Sequence, residues 1–155
     1  SAGAHIAAML TLDPQWLDKA GAGENAVKAF VGLSGPYDFL PFTTESAKQA
    51  FAGTPYPEVT QPISFVRPDA PPMLLLTGDK DTTVKSRNSH ALAKALTQQK
   101  AMAQVVDYPG LDHSDTVMAL ARPFRGKAPI LQVLADFAHK EGIARADPAV
   151  IAPAP

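Results

Sequence analysis

The chain has 155 residues, of which 46% are apolar and 19% charged, which is the balance of one ordinary globular domain or part of one. A formal net charge of −1 and the absence of any Lys/Arg block argue against an electrostatic nucleic-acid or membrane-surface partner, and point instead to a small or neutral substrate. With no cysteine there is no disulfide, thiol nucleophile or thiolate metal site, yet the compartment stays open because cysteine-free chains occur in oxidising and reducing places alike.

Residues 1 to 12, SAGAHIAAMLTL, are alanine-rich with Ile6, Met9 and Leu10 at helical spacing and no breaker after Gly3, so a buried helix is expected from almost the first residue. Asp13-Pro14 closes it, and the stretch to Asn25, with Gly21 and Gly23, reads as a loop. The short apolar run from Ala29 to Leu33 is stopped by Ser34-Gly35-Pro36 and reads as a buried strand. Residues 36 to 72 hold eight of the fifteen prolines, with aromatic residues in two groups (Tyr37, Phe39, Phe42; Phe51, Tyr56, Phe65), so an irregular insertion with short helices at most is expected there. Those aromatic side chains could wall a substrate pocket or pack the insertion onto the sheet.

Met73 to Gly78 is a continuous apolar run introduced by Pro71-Pro72, the pattern of a strand buried on both faces. Leu92, Ala93 and Leu96 then mark a helix from about Ser89 to Gln99, and Ala103 to Tyr108 reads as a third strand. Helices are expected from about Ser114 to Ala121 and from about Ile130 to His139, followed by a Pro/Ala-rich tail over 141–155. No apolar run approaches the roughly 18 residues that span a bilayer, and the start shows no basic region followed by an apolar core. Alternation of this kind implies an α/β fold with a parallel sheet covered by helices. Three strands beginning with a helix would leave apolar surface uncovered, so a preceding half, in the same polypeptide or a companion chain, is expected to complete the sheet.

In doubly wound sheets, functional groups gather at the carboxyl ends of the strands, where the loops converge. Asp79, Asp81 and His113 all lie just past such ends. Ser1-Ala2-Gly3 would be the last three positions of a G-x-S-x-G elbow, in which a serine hydroxyl stands on a tight turn before a helix and the next N–H, here that of Ala2, faces a developing oxyanion. Serine, acid and histidine also follow in the chain order such elbows use. Taken singly, a serine before Ala-Gly is common and a loop histidine is usually solvated; the joint pattern carries the weight.

The segments SAGAHIAAML, GLSGPYDFLPF, PPMLLLTGDKDTTV, RNS and YPGLDH together resemble the α/β-hydrolase superfamily in its esterase/lipase-like branch, over residues 1 to about 139. The resemblance implies the carboxyl-terminal part of a doubly wound, mostly parallel sheet with helices on both faces, as one domain over 1–140 with a cap-like insertion at 36–72. It implies a serine hydrolase that cleaves small or medium carboxylic esters through an acyl-enzyme, with Ser1 as nucleophile, His113 as general base and acid, and Ala2 N–H in the oxyanion hole. Of the two candidate acids, the family pattern selects Asp81, three residues after Gly78, and leaves Asp79 to bind loop amides. The second oxyanion donor is expected on an upstream loop.

Amide hydrolysis of a formamidase or peptidase type uses the same residues, and a non-catalytic hydrolase-like binding domain is a further alternative. An amino-terminal nucleophile hydrolase would begin with a strand and would leave Asp81 and His113 idle. His5 is expected to be a hydrogen-bonded structural residue, and His90 and His139 to lie on helix surfaces without partners at metal-ligand spacing. Asp112 and Asp115 are expected to be solvated neighbours of His113. No motif implies a metal or an organic cofactor.

Overall fold

The computed structural model describes residues 1–23 and 26–143. Its centre is a three-stranded parallel sheet in the order β1 (Phe30–Leu33), β2 (Met73–Gly78), β3 (Ala103–Tyr108), with Phe30 opposite Met73 and Met73 opposite Ala103. The alternating side chains of β2 feed two separate cores. Met73 and Leu75 join Ala8, Leu12, Phe30, Leu92 and Leu96 on one face, and Leu74 and Leu76 join Leu111, Ala119, Ile130 and Phe137 on the other. All four β2 side chains are fully buried, each stabilising the fold by roughly 1.5–3 kcal/mol. This is why the run is unbroken rather than alternating: a central parallel strand has no wet face.

Helix α1 (Ala2–Leu12) and helix α4 (Arg87–Gln98) cover the first face, while α5 (Asp115–Met118) and α6 (Ile130–Lys140) cover the second. Ala8 and Leu12 of α1 are buried against the sheet, whereas Ile6 and Leu10 stand exposed on its outer side. The stretch after Asp13 is not all loop, because α2 (Gln15–Lys19) begins there. The Asp13 carboxylate accepts from the Gln15 amide at 3.3 Å and from its Nε2 at 2.6 Å, so Asp13-Pro14 ends one helix and starts the next. Gly21, at φ +71, closes that turn.

Residues 36–72 carry α3 (Glu45–Phe51) and two 3-10 turns, Pro57–Thr60 and Pro62–Phe65. Phe39, Phe42 and Phe51 pack on one another with centroids 5.4 to 5.9 Å apart, while Tyr37 is fully buried against Phe30. Helix α5 is shorter than the expected 114–121 segment, and a 3-10 turn at Arg122–Lys127 precedes α6. Among the described residues no helix is long and apolar enough to cross a membrane. Of the expected tail, residues 144–155 lie outside the described residues.

Candidate active site

The loops leaving β2 and β3 are sewn together just beyond the strand ends. Asp79 N–H donates to the Tyr108 carbonyl at 3.2 Å and Lys80 N–H to the Leu111 carbonyl at 3.1 Å, which prolongs the ladder past the sheet. The Asp79 carboxylate accepts from Gly110 N–H at 2.7 Å, so Asp79 holds the loop, as expected. Gly78 is required by close approach. A Cβ there would meet the Leu111 carbonyl carbon at 2.7 Å and its Cβ at 3.0 Å, with the carbonyl oxygen closer still.

These loops bring Asp81 and His113 together. Asp81 Oδ2 lies 2.8 Å from His113 Nδ1, with the carboxylate fully shielded and the imidazole 23% exposed. An ionised carboxylate can only accept, so Nδ1 carries the proton and Nε2 is left as the free basic atom. The second carboxylate oxygen accepts from Thr83 N–H at 3.0 Å and Val84 N–H at 2.8 Å. Those two bonds offset the cost of burying the charge and aim the other oxygen at the imidazole.

Around His113 the turn is held by its own carboxylates. Asp112 accepts from Ser114 N–H at 2.9 Å and Asp115 N–H at 3.0 Å, Asp115 accepts from Asp112 N–H at 3.2 Å, and Lys127 pairs with Asp115. The Lys127 ammonium, then the Asp112 amide, hold the Asp115 carboxyl below its ordinary range. Neither aspartate is simply solvated: both fix the backbone that presents His113.

Ser1 is exposed at the N-cap position of α1 and makes no capping bond with its side chain. The first helical bond runs from His5 N–H to the Ser1 carbonyl at 3.0 Å, so the N–H groups of Ala2 and the next two residues have no partner within the helix. The structure joins Asp81 to His113, and Ser1 is hydrogen-bonded to neither among the described residues. One turn along, His5 Nε2 lies 2.8 Å from the Thr60 carbonyl and the ring meets Phe39 and Phe51 edge-on, the structural role expected for it. His90 is exposed on the surface of α4, as expected. Its Nε2 lies 3.0 Å from Asp107 Oδ1, a partner supplied by β3 rather than by local spacing.

Two buried amide side chains escape the sequence reading. Asn88 Oδ1 accepts from the N–H groups of Tyr37 and Asp38 at 3.0 and 2.9 Å, fixing the chain as it leaves β1. Gln61 Oε1 accepts from Phe39 N–H at 2.7 Å. A signal for Asn88 existed: it lies four and eight residues before Leu92 and Leu96, hence on the buried stripe of α4, where a polar group must find partners.

The sequence model of the BD-FAE family matches residues 1–96. Esterase LipQ of Mycobacterium tuberculosis (strain ATCC 25618 / H37Rv) is 30% identical over 152 residues, covering 88% of this chain and 35% of LipQ. A probable isoprenylcysteine alpha-carbonyl methylesterase, ICMEL1 of Oryza sativa subsp. japonica, is 28% identical over 165 residues, covering 91% and 38%. The chain thus spans little more than a third of the length of these curated relatives. Among solved structures, the native thermophilic esterase Est2 of Thermogutta terrifontis superposes with a TM-score of 0.72 at 17% identity, over 95% of this chain and 55% of Est2. The same esterase has been solved phosphorylated by paraoxon, with a TM-score of 0.69 at 19% identity over 94% of this chain and 53% of Est2. With a parallel sheet sheathed by helices on both faces and an Asp–His pair at its carboxyl edge, the chain belongs to the BD-FAE family and has an α/β-hydrolase fold of the esterase type.

Proposed function

We propose that the whole protein is a serine esterase cleaving carboxylic esters, in which this chain supplies the nucleophile Ser1, the base His113 and the orienting acid Asp81. The observation that carries this reading is the 2.8 Å bond from His113 Nδ1 to a shielded carboxylate whose other oxygen is committed to two amides. That arrangement leaves Nε2 as the only atom of the pair free to take a proton. The uncommitted Ser1 hydroxyl at the start of a helix, and the esterase relatives, support the same assignment.

The chemistry follows from these roles. His113 Nε2 removes the Ser1 hydroxyl proton as Oγ attacks the ester carbonyl, and the developing oxyanion is met by Ala2 N–H. The protonated imidazole, stabilised by Asp81, then gives its proton to the leaving alcohol, and water repeats the sequence on the acyl-enzyme. One oxyanion donor contributes about 2.7–4 kcal/mol, so a second is placed on a segment of the whole protein outside this chain. Residues 36–72 are assigned as a cap-like insertion within a single hydrolase domain spanning 1–140.

The test uses the full-length protein with a short-chain aryl ester, and paraoxon as a covalent probe. Hydrolysis abolished by Ser1→Ala, with a phosphoryl adduct mapped by mass to Ser1, is the expected result. Activity retained in Ser1→Ala, or an adduct on another residue, would overturn the assignment.

A further inference from the structure

Ser34 is a non-glycine residue in the left-handed backbone region, at φ +47, and is 2% exposed. It stands one residue past β1, and its N–H donates to the Leu76 carbonyl at 2.9 Å, so its backbone is fastened to the rigid sheet. Glycine occupies such a conformation without strain. A serine there is expected to use its hydroxyl.

That hydroxyl lies 3.0 Å from Thr116 Oγ1, across 82 residues of sequence, and Thr116 is fully buried. Thr116 Oγ1 in turn lies 3.4 Å from the His113 carbonyl, to which it donates. With the Thr116 proton directed to His113, the Ser34 proton goes to Thr116, and both buried hydroxyls are satisfied in one relay. The sheet therefore grips the His113 turn from two sides: through Leu111 at the end of β2, and through this relay at the end of β1.

We infer that Ser34 is a positioning residue for the catalytic base, its hydroxyl linking the end of β1 through Thr116 to the backbone of His113. The inference rests on the proposed role of His113 and adds the feature that keeps the imidazole in register with the nucleophile. A displacement near 1 Å in a catalytic group lowers rates by up to about a hundredfold, so a relay acting on the backbone carbonyl of His113 itself is placed to control turnover.

The test compares Ser34→Gly, Ser34→Ala, Thr116→Val and Thr116→Ser in the full-length protein, reading kcat, KM, Tm and the rate of paraoxon labelling. Ser34→Gly removes the hydroxyl and the backbone strain together, so its Tm should equal or exceed that of the unaltered protein. Its kcat and labelling rate should nevertheless fall about tenfold or more with KM little changed. Thr116→Val should behave alike in kcat, and Thr116→Ser should restore it. Ser34→Gly with unchanged kcat, or a loss carried by KM alone, overturns the relay. Ser1→Ala run alongside separates the two claims, because activity surviving that change would remove the triad reading itself and the relay with it.

Discussion

Gly78→Ala is expected to damage catalysis more than stability, and the reason lies in one contact. The new Cβ would sit 2.7 Å from the carbonyl carbon of Leu111 and closer still to its oxygen, and carbon atoms prefer a separation of at least about 3.5 Å, so the two backbones must part by at least about 0.8 Å. Leu111 cannot yield independently. Its carbonyl accepts from Lys80 N–H, one residue before Asp81, and it precedes His113 by two positions. The strain therefore passes into both ends of the Asp81–His113 bond. Overpacking of this kind costs about 1–3 kcal/mol of stability, whereas misplacing a catalytic group by nearly 1 Å costs up to about a hundredfold in rate. The assay is kcat/KM for aryl ester hydrolysis by the full-length protein, set against Tm and far-UV circular dichroism. A folded Gly78→Ala protein with unchanged kcat/KM would show that the strand-end contact does not set the geometry of the pair.

Asp81→Asn keeps an oxygen for the Thr83 and Val84 amides but turns an NH2 toward His113, forcing Nδ1 to accept and placing the proton on Nε2. A loss in kcat of about 10⁴-fold with little change in Tm is expected, and retention of more than a tenth of the activity would contradict the tautomer argument. Asn88→Ala strands two backbone N–H groups at the exit of β1. It should cost about 1–3 kcal/mol for the buried donors, measured by urea denaturation; an unchanged midpoint would mean that water replaces the side chain. The Asp115 carboxyl, held below its ordinary value by Lys127 first and by the Asp112 amide second, contributes stability above the unfolded value near pH 4 and loses it as the pH falls through the lower folded value. Lys127→Met should therefore flatten the acid limb of a Tm-against-pH curve, while a limb identical to that of the parent would assign the acid sensitivity to other carboxylates.

Periodicity alone determined a good deal of this protein. The uninterrupted Met73–Gly78 run declared a strand wet on neither face, and it is the middle strand. The alanine-rich opening declared a helix, and the positions of Asp81 and His113, with glycines at 78 and 110, placed both residues just past strand ends, where the fold brings them together. These features are local or depend on burial patterns that repeat along the chain, so they survive in one dimension. The short α2 did not, because Asp13-Pro14 serves as both a stop and a start, and only packing decides which.

The tertiary structure decided everything that depends on two distant segments meeting. Composition and spacing leave Asp79 and Asp81 nearly interchangeable, and only the family resemblance set them apart in sequence; in the fold one binds Gly110 N–H and the other His113, since the ladder beyond β2 and β3 faces them in different directions. His90 acquired Asp107, Asn88 acquired the turn after β1, and Ser34 acquired Thr116, each across at least 17 residues. Hydrogen-bond partners of this kind leave no periodic trace: a side chain's spacing announces that it is buried, but only the fold supplies the donor or acceptor that makes burial tolerable.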